Sequence, residues 1–179
     1  EYDLLFRELV ALESAHPELR TADSPTQRVG APPVEFLPKH RHGQPMLSLD
    51  NAMSDEELDQ WLARAARVDP RVREAELAVE VKIDGAAVSL TYDDGQLVVG
   101  TTRGDGETGE VVTPNLRTID DVPLRLAGAG WPARLEVRGE AYLPKATLAR
   151  LNARRTAAGL APLANPRNAA AGGLRQLDS

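Results

Sequence analysis

Asp93-Asp94-Gly95 sets the first firm constraint on what this chain can fold into. It separates two extended runs, Val88-Ser89-Leu90-Thr91-Tyr92 and Leu97-Val98-Val99. An Asp-Gly turn between such runs is a strong local mark of a β-hairpin. The second arm carries on to Thr101-Thr102-Arg103. Two more segments alternate with period two. Leu77, Val79, Val81 and Ile83 interleave with Ala78, Glu80, Lys82 and Asp84. Further on, Leu135, Val137 and Ala141 oppose Glu136, Arg138, Glu140 and Tyr142. Successive side chains on a strand point to opposite faces. Both segments therefore read as half-buried strands, 77–83 and 134–142. Strands linked by hairpins, with helices between them, imply an α+β fold of mainly antiparallel sheets flanked by helices.

The helices announce themselves by spacing and caps. Leu4, Leu5, Leu9 and Leu12 predict an amphipathic helix over Tyr2 to Ala15, ended by His16-Pro17. Ser54 stands three residues before Glu57, the spacing of a capping box, and opens a helix whose stripe is Leu58, Trp61, Leu62 and Ala65. Pro70 marks its end, and a Trp at that spacing reads as core. Val111 to Ile119 suits a short helix. Pro144 suits the first turn of another, with Leu148 and Leu151 inward and Gly159 as its stop. Asn165 to Gly172 reads as a capped, Ala-rich helix. Thr21 to Pro33 is rich in Ser, Thr, Pro and Gly and reads as a linker. The expected division is 1–36, part of a small helical domain with its linker, and 37–179, the main body. Gly104-Asp105-Gly106-Glu107-Thr108-Gly109 lacks the spacing of a phosphate-binding loop and reads as a mobile surface loop.

Composition excludes several chemistries. The absence of cysteine removes disulfides, thiolate zinc sites and a cysteine nucleophile from these 179 residues. His16, His40 and His42 have no metal-site spacing. The net charge of −6 argues against a uniformly basic nucleic-acid surface, but Arg103, Arg117, Arg138, Arg167 and Arg175 leave room for a local basic groove. No apolar run is long enough to cross a membrane and no signal peptide is visible. The chain opens on Glu1 and reads as a piece of a longer protein.

Of the 21 basic residues, only Lys39, Lys82 and Lys145 are lysine. A guanidinium stays protonated, whereas a lysine amine can be tuned into a nucleophile. Lys82 lies between Glu80 and Asp84, followed by Gly85, where a side chain would obstruct a close ligand or backbone. Alternation alone is equally satisfied by an ordinary exposed strand face. With Arg103 ahead of a Gly-rich loop and Glu140 on a second strand, the set suits chemistry on a phosphate ester. Arginines would neutralise the phosphate. An amine attacks only when neutral and its ordinary pKa is about 10.4, so the chemistry calls for burial or cationic neighbours.

Lys82-Ile83-Asp84-Gly85 matches the KxDG motif of covalent nucleotidyltransferases. The surrounding segments are more specific. Tyr2-Asp3 with Leu5-Phe6-Arg7-Glu8-Leu9, Ser24-Pro25-Thr26-Gln27-Arg28-Val29-Gly30, Pro45-Met46-Leu47-Ser48-Leu49-Asp50-Asn51, Thr102 to Gly106, Leu135 to Glu140 and Ala164 to Gly172 follow one another in the order found in bacterial NAD-dependent DNA ligases. The chain resembles that family over nearly its whole length. The resemblance implies part of the covalent nucleotidyltransferase fold, in 37–179, after the remainder of an N-terminal NAD-recognition domain in 1–36.

The resemblance further implies that Lys82 attacks the α-phosphate of NAD, releases nicotinamide mononucleotide and becomes lysyl-AMP. The AMP then passes to the 5′-phosphate of a DNA nick, which the 3′-hydroxyl seals, with Mg²⁺ assisting and no metal-binding residue assigned. Glu80, Ser48 and Leu49 correspond to adenosine-contacting positions, and Arg103 and Glu140 to nucleotide-binding ones. Asp84 supports the lysine or the metal. Tyr2 and Asp3 match residues for the nicotinamide mononucleotide half, and Arg167 and Arg175 positions near AMP or DNA phosphates. The family carries further nicotinamide-binding residues before Tyr2, two lysine-bearing motifs beyond Ser179 and separate DNA-gripping modules. The 179 residues alone are therefore expected to bind adenylate weakly and to seal no nicks, and nicked DNA is expected to be held mainly elsewhere. A cytoplasmic, nucleoid-associated setting without membrane contact goes with this reading. Other readings are a non-catalytic scaffold that kept the fold and an ATP-dependent ligase or capping enzyme. The Tyr2-Asp3 helix speaks against the ATP alternative.

Overall fold

The computed structural model describes residues 2–21, 23–27 and 36–178. Most of the proposed linker, and the Arg28-Val29-Gly30 end of one motif, lie outside those residues. Helix α1 (Tyr2–Ala15) is followed by 3-10 turns at Pro17–Leu19 and Pro25–Gln27. Then come β1 (Lys39–Arg41), α2 (Asp55–Val68), a 3-10 turn at Pro70–Glu74, β2 (Ala86–Asp93), β3 (Gln96–Thr102) and β4 (Thr108–Glu110). Helix α3 (Thr113–Arg117), strand β5 (Arg134–Ala141), and helices α4 (Lys145–Ala157) and α5 (Pro166–Leu174) complete the order. Leu47–Lys82 forms one compact unit, and Glu1–Met46 with Ile83–Ser179 forms the other.

The hairpin forms where Asp-Gly predicts it. Asp94 and Gly95 both take positive φ, 47° and 78°, the geometry that matches a two-residue turn to the twist of its strands. Gly95 has a second reason to lack a side chain, because a Cβ there would meet the Trp131 indole at 2.9 Å. Strand β2 is central in a three-stranded sheet of order β3-β2-β5, antiparallel on both sides. A separate ribbon pairs β1 with β4, Lys39 opposite Glu110.

Two apolar clusters hold this unit. Val88, Val112, Leu116 and Leu174 form one, joining the sheet to α3 and α5. Tyr92, Leu97 and Leu124 form the other. Leu90 packs against both. The Tyr92 hydroxyl donates to the Pro123 carbonyl at 3.0 Å, which satisfies the one polar side-chain atom of the second cluster. Burial also raises the Tyr92 pKa.

Pro144 sits just ahead of α4 at its N-cap position, and Leu148 is half-buried while Leu151 is exposed. Gly159 stops the helix with φ of 72°. Asn165 caps α5 by accepting the Asn168 N–H at 2.7 Å. In the smaller unit, the Ser54 hydroxyl accepts the Glu57 N–H at 3.3 Å. Glu57 reaches back one residue further than a capping box requires, to the Met53 N–H at 2.6 Å. Ala66 is the buried residue of α2, and Trp61 is 41% exposed rather than core.

Besides Trp61 in the core and Leu151 turned inward, two further expectations fail. Residues 76–84 form no strand, and Val79 and Val81 are 95% and 85% exposed. A strand is defined by its partner. Ala86 is paired with Ala141, the last residue of β5, so the ladder has nothing left for residues ahead of Gly85. Glu80, Lys82 and Asp84 therefore do not share a strand face.

The Gly-rich loop, expected to be mobile, is tied down. The Asp105 carboxylate accepts the Glu107 and Thr108 N–H groups at 2.9 and 2.8 Å. The His42 and Met46 N–H groups donate to the Glu107 and Gly106 carbonyls at 2.9 and 2.8 Å.

Leu116 is fully buried between sheet and helices. Leu116→Ala is expected to cost about 2–5 kcal/mol in urea unfolding, with little change in the denaturant slope. The Thr108 and Glu107 N–H groups hold the Asp105 carboxyl below the usual range. A carboxylate depressed in the fold contributes stability above its unfolded pKa and loses it as pH falls through its folded value. Amide exchange at Glu107 and Thr108 should thus stay slow at neutral pH and quicken only in acid below the ordinary aspartate range. Asp105→Asn should remove most of that acid dependence.

Candidate functional site

Register on β2 assembles the site. Ala87 pairs with Glu140 on β5. On the other side, the Arg103 N–H donates to the Ala87 carbonyl at 3.0 Å, extending the β2–β3 ladder by one residue. Arg103, Ala87 and Glu140 therefore form one row across the end of the sheet. A cationic and an anionic side chain, 37 residues apart in sequence (140 − 103), are brought to the same end of one sheet.

Gly85, the last residue of the KxDG segment, enters this row directly. The Gly85 N–H donates to Glu140 Oε1 at 3.1 Å. A Cβ at Gly85 would collide with the Ala141 carbonyl, so only glycine lets the backbone pass this close to β5. The obstruction foreseen at Gly85 is thus by backbone. Asp84 accepts from Arg167 Nη1 at 3.0 Å. Both side chains are more than half exposed. Such a pair is worth roughly 0–1 kcal/mol, so its effect is orientation more than stability. Arg167 is delivered by the first turn of α5, just after the Asn165 cap. Arg175, at the other end of α5, makes a two-pronged contact with Glu110, Nε to Oε2 at 2.7 Å and Nη2 to Oε1 at 2.8 Å. The Glu110 N–H in turn donates to the Thr102 hydroxyl at 3.0 Å, next to Arg103. Asp84, Arg103, Glu140, Arg167 and Arg175 are therefore linked through β2, β3, β4, β5 and α5.

Arg138 and His42, neither of them among the expected site residues, brace this end. Arg138 donates to the Pro45 and Gln44 carbonyls at 2.8 and 2.7 Å, while Glu136 accepts its Nε and Nη2, both at 3.0 Å. One guanidinium thus fixes β5 to the chain just before Met46. His42, which lacks metal-site spacing, is buried in a loop. Its Nε2 lies 3.0 Å from the Arg103 carbonyl. A carbonyl only accepts, so Nε2 carries the proton. Alternation on β5 gave a signal for Arg138, since it shares a strand face with Glu136 and Glu140. Nothing local to His42 gave one.

Ser48, Leu49, Glu80 and Lys82 belong to the Leu47–Lys82 unit, where all four are exposed on irregular backbone. Tyr2 and Asp3 stand in the first turn of α1, their side chains outside the described set. No group of three His, Asp or Glu among the described residues could hold a metal ion. No helix among them is long and apolar enough to cross a membrane.

Residues 35–179 match the family described as NAD-dependent DNA ligase adenylation domain, and residues 1–30 match DNA ligase-like, N-terminal NAD+-binding domain. The chain is 58% identical over 181 residues to a DNA ligase of Synechococcus sp. (strain JA-3-3Ab), covering 99% of this chain and 27% of that protein. It is 58% identical over 178 residues to a DNA ligase of Desulforudis audaxviator, covering 99% of this chain and 26% of that one. A DNA ligase of Xanthomonas axonopodis pv. citri is 55% identical over 180 residues, 100% of this chain and 21% of its own length. The chain thus spans about a quarter of the length of the curated relatives it matches. With Gly85, Arg103 and Glu140 linked at one end of the sheet, and with that match over residues 35–179, the chain belongs to the family of NAD-dependent DNA ligase adenylation domains.

Proposed function

We propose that the parent protein seals nicks in double-stranded DNA with NAD as AMP donor, and that Lys82 is the residue that carries the AMP. The observation that carries this reading is the hydrogen bond from Gly85 N–H to Glu140, which couples the KxDG segment to the Arg103–Glu140 row. On this reading 37–179 is part of the nucleotidyltransferase domain and 1–36 the remainder of the NAD-recognition domain.

Lys82 Nζ attacks the adenosine-side phosphorus of NAD. A P–N bond forms, the bond from that phosphorus to the bridging oxygen breaks, and nicotinamide mononucleotide leaves as the phosphate. The amine gives up its proton. A 5′-phosphate oxygen at the nick next attacks the same phosphorus and frees the lysine. The 3′-hydroxyl then attacks the 5′-phosphate, closes the strand and releases AMP. Ser48, Leu49 and Glu80 hold the adenosine, while Arg103 and Glu140 orient the nucleotide. Arg167 and Arg175 face the phosphates, and Arg167 also steadies Asp84. Tyr2 and Asp3 recognise the nicotinamide half. Preorganised cations aimed at the charge that develops on phosphate supply the stabilisation. Nicked DNA is gripped mainly by parts of the parent protein outside these residues, in a cytoplasmic, nucleoid-associated setting.

Incubating the full-length protein with NAD and measuring its mass tests this reading. The unaltered protein should gain an adenylate, and Lys82→Arg should gain none, because a guanidinium stays charged. An adduct persisting on Lys82→Arg removes Lys82 as the nucleophile, and an adduct from ATP but not NAD overturns the donor. Glu140→Ala leaves the Gly85 N–H without its acceptor. It should lower adenylation by NAD about 10–100-fold, with Glu140→Gln recovering part of the loss because its amide oxygen still accepts.

A further inference from the structure

Helix α1 has the two 3-10 turns that follow it as its main neighbours. A 14-residue helix is marginal by itself, so its pose depends on what those turns hold. They hold it through a polar relay. Glu13, buried on α1, accepts from the Ser24 hydroxyl at 2.5 Å and from the Thr26 hydroxyl. Those two hydroxyls, Ser24 first, keep the Glu13 carboxyl below its usual range. Asp23, next to Ser24 and with a side chain only 16% exposed, accepts from Arg125 Nε across 102 positions of sequence.

Arg125 is itself anchored to the sheet. It forms an antiparallel bridge with Gln96, the first residue of β3. Its two neighbours continue that pairing. The Leu97 N–H donates to the Leu124 carbonyl at 2.9 Å, and the Leu126 N–H to the Gly95 carbonyl at 2.8 Å. Leu124 is buried in the cluster of Tyr92 and Leu97. Asp23, Pro25, Pro123 and Leu124 line one open cleft around the pair. A continuous path thus runs from α1 through Glu13, Ser24 and Asp23 to Arg125 and the edge of β3. The other end of β3 leads to Arg103.

We propose that Asp23 and Arg125 are positioning residues for the NAD-consuming step, holding α1, with Tyr2 and Asp3 in its first turn, in a fixed pose on the sheet that carries Arg103 and Glu140. The proposal rests on the ligase reading and on Tyr2 and Asp3 serving the nicotinamide half. An ion pair whose arginine is more than half exposed adds little to folding stability. A displaced recognition element, by contrast, can cost up to about 100-fold in rate when reacting atoms move by an ångström. The relay therefore matters for the reaction that needs both halves of NAD, and not for joining a nick that already carries AMP.

Two reactions of the full-length protein separate these effects: adenylation by NAD, and sealing of a nick bearing a 5′-adenylate with no NAD present. Asp23→Asn and Arg125→Gln should each lose about tenfold or more in kcat/KM for NAD, yet seal the adenylated nick within about twofold of the unaltered rate. The exchanged pair Asp23→Arg with Arg125→Asp should recover at least about threefold over the single variants. Unchanged NAD kinetics, an equal fall in both reactions, or an exchanged pair no better than the singles would each overturn the proposal. An unaltered protein inert in both reactions would sink the ligase reading itself, which sets that failure apart from the others.

Discussion

Strand β2 is hydrogen-bonded along both edges, and the rest of the larger unit takes its coordinates from it. Its Ala87 sets Glu140 on one side and Arg103 on the other. Its Val88 anchors the apolar cluster against which α3 and α5 pack, and α5 brings Arg167 and Arg175 to the same end. A central antiparallel strand fixes register twice, since a slip of one residue would send every side chain to the wrong face on both sides. Charged groups far apart in sequence are therefore held together at one end of one sheet.

The legible parts were those with local causes. Asp94-Gly95 specified its turn because few sequences accept two consecutive positive φ angles. Asn165 specified the start of α5 because its side chain satisfies a free N–H of the first turn. The alternation at Leu77–Ile83 was misleading because it records which residues could lie on a common face and says nothing of a partner. β5 runs out at Ala141, opposite Ala86, and the segment ahead of it stays irregular. The loop at Gly104–Gly109 was misread for the opposite reason. Its glycines suggested freedom, but Asp105 accepts two of the loop's own N–H groups and removes it. His42 was invisible because its partner, the Arg103 carbonyl, lies 61 residues away. For the site, Lys82 among carboxylates suggested phosphate chemistry, while the individual roles came from resemblance to ligases.

Arginine does most of the long-range fastening. Arg125 to Asp23, Arg138 to Gln44 and Pro45, Arg167 to Asp84 and Arg175 to Glu110 each join segments 65 or more residues apart. The planar fork explains the preference. It can grip two acceptors at once and its charge does not depend on surroundings, whereas an ammonium offers a single point of attachment. A chain of net charge −6 can in this way hold its cations where they organise backbone and carboxylates.

That division of labour has a practical side. Lys82 sits exposed on backbone that no ladder covers, and only Lys39 and Lys145 share its functional group among these 179 residues. Chemistry directed at primary amines would leave the arginine fasteners untouched. A reductive methylation carrying an isotope label would therefore place no more than three side-chain signals across this region. One of them would report on the surroundings of Lys82, the residue proposed to carry the AMP, while the scaffold stayed spectroscopically silent.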